Sequence, residues 1–103
     1  MLNNIGTFEI DVEGYTEIAT AINETLTDAT TYQIQIVSST DGKLAYCQKN
    51  DTPDEAEGNI LYGAGIREFT YDSTYSFYVK NLTSGIKINV AEVVTAQNDD
   101  NNG

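Results

Sequence analysis

Apolar and polar residues alternate along several short segments of this chain, with the repeat of two that is typical of a β-strand. The clearest example is residues 75–90, whose apolar positions are Tyr75, Phe77, Val79, Ile86, Ile88 and Val90. Residues 81–85, between its two halves, are mostly small or polar and end in a glycine. The pattern therefore predicts an antiparallel hairpin with one buried face.

Two further segments show the same alternation. Residues 7–12 place polar side chains at the odd positions and apolar ones at the even positions, which predicts a first strand with one face in water. Residues 32–37 alternate in the same way and lead through SSTDGK into the segment LAYC. Because Asp41 and Gly42 suit the positive φ angles of a tight turn, this region predicts a second hairpin.

The segments NILYG, residues 59–63, and REFTY, residues 67–71, flank a glycine-rich step. They are typical either of two short strands or of one strand broken by a glycine bulge.

Residues 15–26 fit two periods at once. A helical stripe would contain Tyr15, Ile18, Ile22 and Leu26, whereas a strand would contain Ile18, Thr20 and Ile22. The threonine content and the β-rich surroundings favour extended structure, with a helix as the open alternative.

Residues 48–59, QKNDTPDEAEGN, carry the single proline and many acids, so we expect an exposed loop with nothing packed into the core. Residues 96–103 are polar and predict a disordered tail. Six to eight short strands then predict one domain over residues 1–95. Its fold class is all-β, an antiparallel β-sandwich of the jelly-roll or immunoglobulin-like type.

The charge of the chain narrows its partners. Sixteen acidic and five basic residues in 103 give a formal charge of −11. Such a chain repels nucleic acid and anionic lipid surfaces, and no apolar run approaches the roughly 20 residues that span a bilayer. The N-terminus lacks the features of a secretory signal, so we expect a protein made in a cytoplasm that binds neither nucleic acid nor membrane.

Candidate catalytic groups are sparse. Nucleophilic catalysis needs an activating base, but the chain has no histidine and its one cysteine, Cys47, lies in an apolar segment that raises a thiol pKa. A single cysteine also forms no disulfide within one chain. We therefore expect no catalytic residues and no cofactor.

The densest carboxylates are Asp51, Asp54, Glu55 and Glu57. They could supply acid and base groups to a small hydrolase or oxygen ligands to calcium. Their spacing does not match the calcium-loop pattern, and carboxylates in a solvated loop keep pKa values in the usual range. We expect no enzymatic activity and no metal, while calcium binding by residues 51–57 stays open.

Surface recognition is the remaining function. Seven tyrosines and three phenylalanines without a tryptophan exceed what one small core needs. Tyrosine is enriched at protein interfaces, so Tyr46, Tyr62 and Tyr78 are candidate interface residues, with capping of the core edges as the alternative. Arg67, the only arginine, is a candidate for an ion pair between subunits.

The order of segments resembles the small β-sandwich virion proteins of tailed bacteriophages, the capsid decoration and head-fibre-base proteins. The resemblance covers about residues 7–93 and lies in a "TYxIQ" strand and a terminal "xxYVxN...xxIxVxE" segment. The matching positions are Thr31, Tyr32, Ile34, Gln35, Tyr78, Val79, Asn81, Ile88, Val90 and Glu92. Residues 15–26 depart from the family in carrying tyrosine where it has tryptophan.

The resemblance implies a non-enzymatic structural protein of the virion. Such a protein docks on other virion proteins, a major capsid protein or a fibre, as a homo-oligomer that is often a trimer. The alternative is a module of a phage tail or bacterial protein that binds a glycan or a host surface, with Tyr46 and Tyr62 stacking on sugar rings.

Overall fold

The computed structural model describes residues 2–37 and 41–94, which form two four-stranded antiparallel sheets. In chain order the elements are β1 Leu2–Glu9, β2 Thr16–Glu17, α1 Ile18–Ile22, β3 Thr30–Ile36, β4 Lys43–Lys49, β5 Asn59–Tyr62, β6 Ile66–Tyr71, β7 Ser76–Asn81 and β8 Lys87–Val93. The first sheet has the order β1-β8-β3-β6 and the second β2-β7-β4-β5. The prediction of an antiparallel sandwich of six to eight short strands is confirmed.

The strand order is that of a jelly roll. The chain crosses to the other sheet at every connection between strands except β4 to β5, which pair as neighbours. An immunoglobulin-like sandwich instead keeps its first two strands together in one sheet. The crossing pattern therefore selects the first of the two predicted sandwich types.

Both predicted hairpins are wrong in their pairing, although their strands exist. β7 pairs with β2 and β4, whereas β8 pairs with β1 and β3. β3 and β4 likewise lie in different sheets. The alternation shows which face of a strand is buried but not which strand lies beside it. Of the predicted turn before Lys43, residues 38–40 lie outside the described part of the chain.

Residues 15–26 form two residues of strand and then the short helix α1, so the expected extended structure is wrong over Ile18–Ile22. Ile18 and Ile22 are buried, one helical turn apart, in the core. The helix ends at Asn23, which has φ 57° and ψ 48°, because asparagine tolerates this left-handed conformation. Burial of the helical stripe outweighs the strand propensity of the threonines.

The remaining expectations concern the first strand, residues 59–71 and the C-terminal tail. The second half of β1 alternates as expected, with Thr7 and Glu9 exposed and Phe8 partly buried, and leads into the fully buried Ile10. β5 and β6 are separate strands in different sheets, so no single bulged strand forms. The expected tail, residues 96–103, lies outside the described residues.

A row of aromatic rings joins the two sheets inside the core. Phe69 on β6 stacks on Phe77 of β7 with ring centroids 4.0 Å apart and planes at 9°. Tyr32 lies 5.9 Å beyond Phe69 and Tyr46 lies 5.7 Å beyond Phe77. These rings end at the side of the sandwich where the edge strands β5 and β6 lie.

Candidate interaction surfaces

The four predicted interface residues fall in three places. Tyr46 and Arg67 meet at the side of the sandwich between β5 and β6. Tyr62 lies at the end of β5 with 59% of its side chain exposed. Tyr78 is half-buried on the outer face of the second sheet, opposite Glu17 and Cys47. The structure therefore brings together only the first two.

Tyr46 is engaged within the chain. It stacks on Phe77 with planes at 19°, and the Arg67 guanidinium lies 5.3 Å from its ring centroid. A cation over an aromatic ring at an exposed site contributes about 0.5–1 kcal/mol. This contact closes the side of the core, which is the alternative that the sequence left open for the tyrosines.

A groove of about 580 Å³ runs beside the edge strand β6. We call it the side groove; its polar lining includes Gln48, Arg67, Glu68, Thr70, Asp72 and Tyr75. The Gln48 amide donates hydrogen bonds to the carbonyls of Thr70, at 2.8 Å, and Tyr75, at 3.1 Å. Gln48 thus occupies one end of the β6 edge. The groove could not be predicted from the sequence, because it depends on β6 having a strand neighbour on one side only among the described residues.

Hydrogen bonds hold the Asp72 carboxylate as an anion within this groove. The Thr74 backbone N–H and hydroxyl donate to it at 2.9 and 2.8 Å. The N–H, then the hydroxyl, lower the pKa of Asp72. The groove therefore presents two carboxylates, of Glu68 and Asp72, and one cation, Arg67.

One end of the sandwich exposes apolar side chains on three of its connections. Val37, Tyr62, Ile66 and Leu82 are 49%, 59%, 55% and 46% exposed, and we call them the apical cluster. Sequence reasoning found Tyr62 but missed the other three. Val37 and Leu82 each follow the last residue of a strand, a position where an apolar residue has no buried face to enter.

Backbone hydrogen bonds join the connections that carry the apical cluster. Leu82 donates its N–H to the Lys43 carbonyl at 3.1 Å, and Lys43 pairs with Tyr62 across the β4–β5 ladder. A tight turn bonded from Gly65 to Tyr62 at 2.7 Å then leads to Ile66. Tyr62, Ile66 and Leu82 therefore lie on or beside hydrogen-bonded backbone.

Residues 50–58, the acidic loop, fold over the outer face of the second sheet. The Lys80 side chain is only 8% exposed. Its ammonium donates to the Glu55 carbonyl at 2.8 Å and lies 4.7 Å from the Tyr15 ring centroid. The Tyr15 hydroxyl donates to the Glu57 carbonyl at 2.5 Å. The other residues of the loop are exposed, as expected, and none belongs to the hydrophobic core cluster, but Pro53 is buried.

The carboxylates of the acidic loop are arranged for ion pairing. The Lys49 ammonium lies 3.0 Å from the Glu57 carboxylate and 3.5 Å from that of Asp51. The Asp54 backbone N–H and then Lys49 lower the pKa of Glu57. A general acid at neutral pH needs the opposite shift, so Glu57 is poorly suited to the acid role of a hydrolase.

Cys47 lies beneath this loop on the outer face of β4. Burial, and then the charge of Glu57, raise the pKa of its thiol against the opposing effect of Lys49. A raised pKa leaves less thiolate at neutral pH. Across residues 2–37 and 41–94, no three His, Cys, Asp or Glu side chains converge as a metal site. No helix in the same ranges is long and apolar enough to cross a membrane.

No protein-family model, no curated protein and no solved structure matches the chain. Its class is therefore defined by strand order and exposed surfaces: a jelly-roll domain with an apolar end, an open side groove and an acidic loop bound to its own outer face.

Proposed function

We propose that this chain is a non-enzymatic structural protein of a tailed-phage virion, a capsid decoration or head-fibre-base protein. It docks on the assembled head through the apical cluster. The jelly roll recurs in viral capsid domains but also in lectins and cupins, so the fold supports this role only by analogy.

The apical cluster is the observation that carries the proposal. Seven large apolar side chains are exposed within the described residues, and four of them share this one end. Single exposed apolar residues need no explanation, whereas groups of them mark interaction sites. Their hydrogen-bonded frame lets them meet a partner with little loss of conformational entropy.

Protein docking accounts for these surfaces better than sugar stacking does. Of the two tyrosines considered as sugar platforms, Tyr46 has its ring engaged by Phe77 and Arg67. Only Tyr62 keeps an exposed ring. Of those two tyrosines a glycan-binding module would depend on Tyr62 alone, whereas four exposed apolar side chains share the apical end of the sandwich.

The test is co-sedimentation of the purified chain with assembled phage heads that lack it, with the oligomeric state measured by light scattering. We expect saturable binding, a trimer, and loss of binding in the double variant Tyr62→Ser, Ile66→Ser. Leu2→Ser is the matched control, because Leu2 is 51% exposed and lies at the opposite end of β1. The proposal would be refuted if the chain is a strict monomer that does not bind heads, or if Leu2→Ser loses as much binding as the double variant. Binding to a glycan array instead would favour the glycan-binding module.

A further inference from the structure

The backbone N–H and C=O groups of β6 point in directions that the hydrogen bonds to β3 define. The carbonyl of Gly65 accepts a hydrogen bond from Ile36 at 3.3 Å, and that of Tyr71 accepts one from Ala29 at 2.8 Å, both on the β3 side. In an antiparallel strand the N–H and C=O of one residue point to the same side, and the side alternates along the chain. The odd-numbered residues of β6 therefore direct their backbone groups to β3.

The even-numbered residues direct theirs away from the sheet. The Thr70 carbonyl confirms this orientation, because the Gln48 side chain reaches it from the second sheet. Ile66 and Glu68 therefore direct both backbone groups away from β3, and of the two Glu68 lines the side groove. Within the described residues β3 is the one strand neighbour of β6. An edge of this kind is a template for strand addition.

From this edge we infer that β6 binds an extended, positively charged segment of another protein, which adds to the four strands of the first sheet as a fifth. The residue that pairs with Glu68 places its side chain beside the Glu68 carboxylate on the outer face of the sheet. A lysine or arginine there makes a favourable cross-strand pair. The ionised Asp72 at one end of the groove and the formal charge of −11 favour the same kind of partner.

A second copy of this chain fits the edge poorly. A twofold pairing centred on Glu68 places two glutamates opposite each other, and one centred on Arg67 does the same with two arginines; like charges in that position are destabilising. A pairing centred on Phe69 needs the Thr70 carbonyl, which Gln48 occupies. Residues 95–103 fit no better, because they contain two aspartates and no basic residue.

The probe is a capped peptide of about eight residues that alternates lysine and valine. We expect antiparallel addition, as in the rest of the sheet; the residue opposite Glu68 then shares its face and directs its own backbone groups to β6. We expect N-methylation of the lysine amides to abolish binding and N-methylation of the valine amides to leave it. This comparison changes only the peptide, so it does not depend on the folding of any protein variant.

Amide hydrogen exchange locates the added strand. Binding should slow exchange at Ile66, Glu68 and Thr70, and leave Arg67 and Phe69 unchanged because their amides already bond to β3. Glu68→Lys should weaken the peptide about tenfold, whereas Glu24→Lys, an exposed acid elsewhere with the same change in net charge, should stay within twofold.

Three results would overturn strand addition at β6. The first is protection from exchange at amides other than the even-numbered ones of β6. The second is an equal loss of peptide affinity in Glu68→Lys and Glu24→Lys. The third is equally tight binding of a peptide that alternates glutamate and valine. The edge would serve a protein of any class. Its failure would therefore leave docking through the apical cluster standing, and failure on phage heads would leave the edge standing.

Discussion

The acidic loop and the apical cluster are both surface regions, but their side chains find partners in different ways. The loop is highly polar, yet Lys80, Tyr15 and Lys49 bind it to the outer face of the second sheet. The cluster is apolar, yet its four side chains lie about half in water. The polarity of a segment in the sequence therefore does not show whether its side chains contact the rest of the domain or stay exposed to a partner. We expect changes in the loop to affect stability and changes in the cluster to affect binding.

Among changes at the acidic loop and its contacts, the largest effect is expected at Gly58, where the loop meets the sheet. Gly58 has φ +97°, and a Cβ there would lie 2.5 Å from the Tyr46 carbonyl oxygen and 3.1 Å from the Cys47 Cβ. Both the backbone angle and the contact oppose any side chain, so Gly58→Ala should lower the free energy of unfolding by about 3 kcal/mol. Urea denaturation measures this loss.

Two glycines serve as graded controls. Gly85 has φ +74° with open space around it, so Gly85→Ala should cost only about 1 kcal/mol of backbone strain. Gly14 has open space and no positive φ, and its replacement should be nearly neutral. Equal losses at all three positions would show that the acidic loop is not packed on the sheet.

The next largest effect is expected at Lys80. Lys80→Ala removes the hydrogen bond to the Glu55 carbonyl, the contact with the Tyr15 ring and the buried stem. The loss should be about 2 kcal/mol in thermal or urea unfolding. Lys43→Ala is the matched control, because Lys43 is exposed and lies 6.0 Å from the ring of Tyr62; it should cost a few tenths of a kcal/mol. A smaller loss at Lys80 than at Lys43 would contradict the difference between the two regions.

The faces of the strands could be predicted from the sequence, whereas their neighbours could not. Phe77, Val79, Ile88 and Val90 are all buried, as their alternation indicates. However, β8 pairs with β1, which lies at the other end of the chain, through contacts such as Leu2 with Val93. Alternation is a local property, and it carries no information about which distant strand supplies the ladder.

The candidate surfaces were predictable to a similar degree. Tyr62 stood out because tyrosine is common at interfaces, and it is exposed. The burial of Lys80 could not be predicted, because a lysine at an outward-facing strand position is normally solvated. Its burial depends on the acidic loop folding back, a contact between residues 25 positions apart. Ile66 could be recognised as exposed only once β6 was known to turn its even positions outward.

A pH dependence should distinguish the bound loop from a free one. Burial, followed by the nearby Cys47 and Glu57, raises the pKa of the Tyr15 phenol. In the unfolded chain this phenol ionises near pH 10, so above that pH the folded state holds more protons and the free energy of unfolding falls as the pH rises. The contribution is fully present below about pH 10 and is lost as the pH passes the folded-state pKa.

Tyr15→Phe should remove this part of the decline in urea unfolding measured between pH 8 and pH 11. It should also cost about 1 kcal/mol at pH 7, because the hydrogen bond to the Glu57 carbonyl is lost. The pKa of Tyr71 is also raised by burial, then by Glu17, so Tyr71→Phe measures the second phenol separately. A Tyr15→Phe profile identical to that of the wild type would show that the phenol does not hold the loop.

The smallest effect on stability is expected in the apical cluster. Because Tyr62 and Ile66 are more than half exposed, each substitution in the double variant Tyr62→Ser, Ile66→Ser should change the free energy of unfolding by no more than about 0.5 kcal/mol. Phe69→Ala, in the buried face of the same β6, should cost about 3–5 kcal/mol and shows that the assay detects a real loss. A loss above about 1.5 kcal/mol in the double variant would mean that these side chains stabilise the isolated fold. Their exposure would then not mark a docking surface. The apical cluster would contribute to stability as the acidic loop does, and the difference between the two regions would be contradicted.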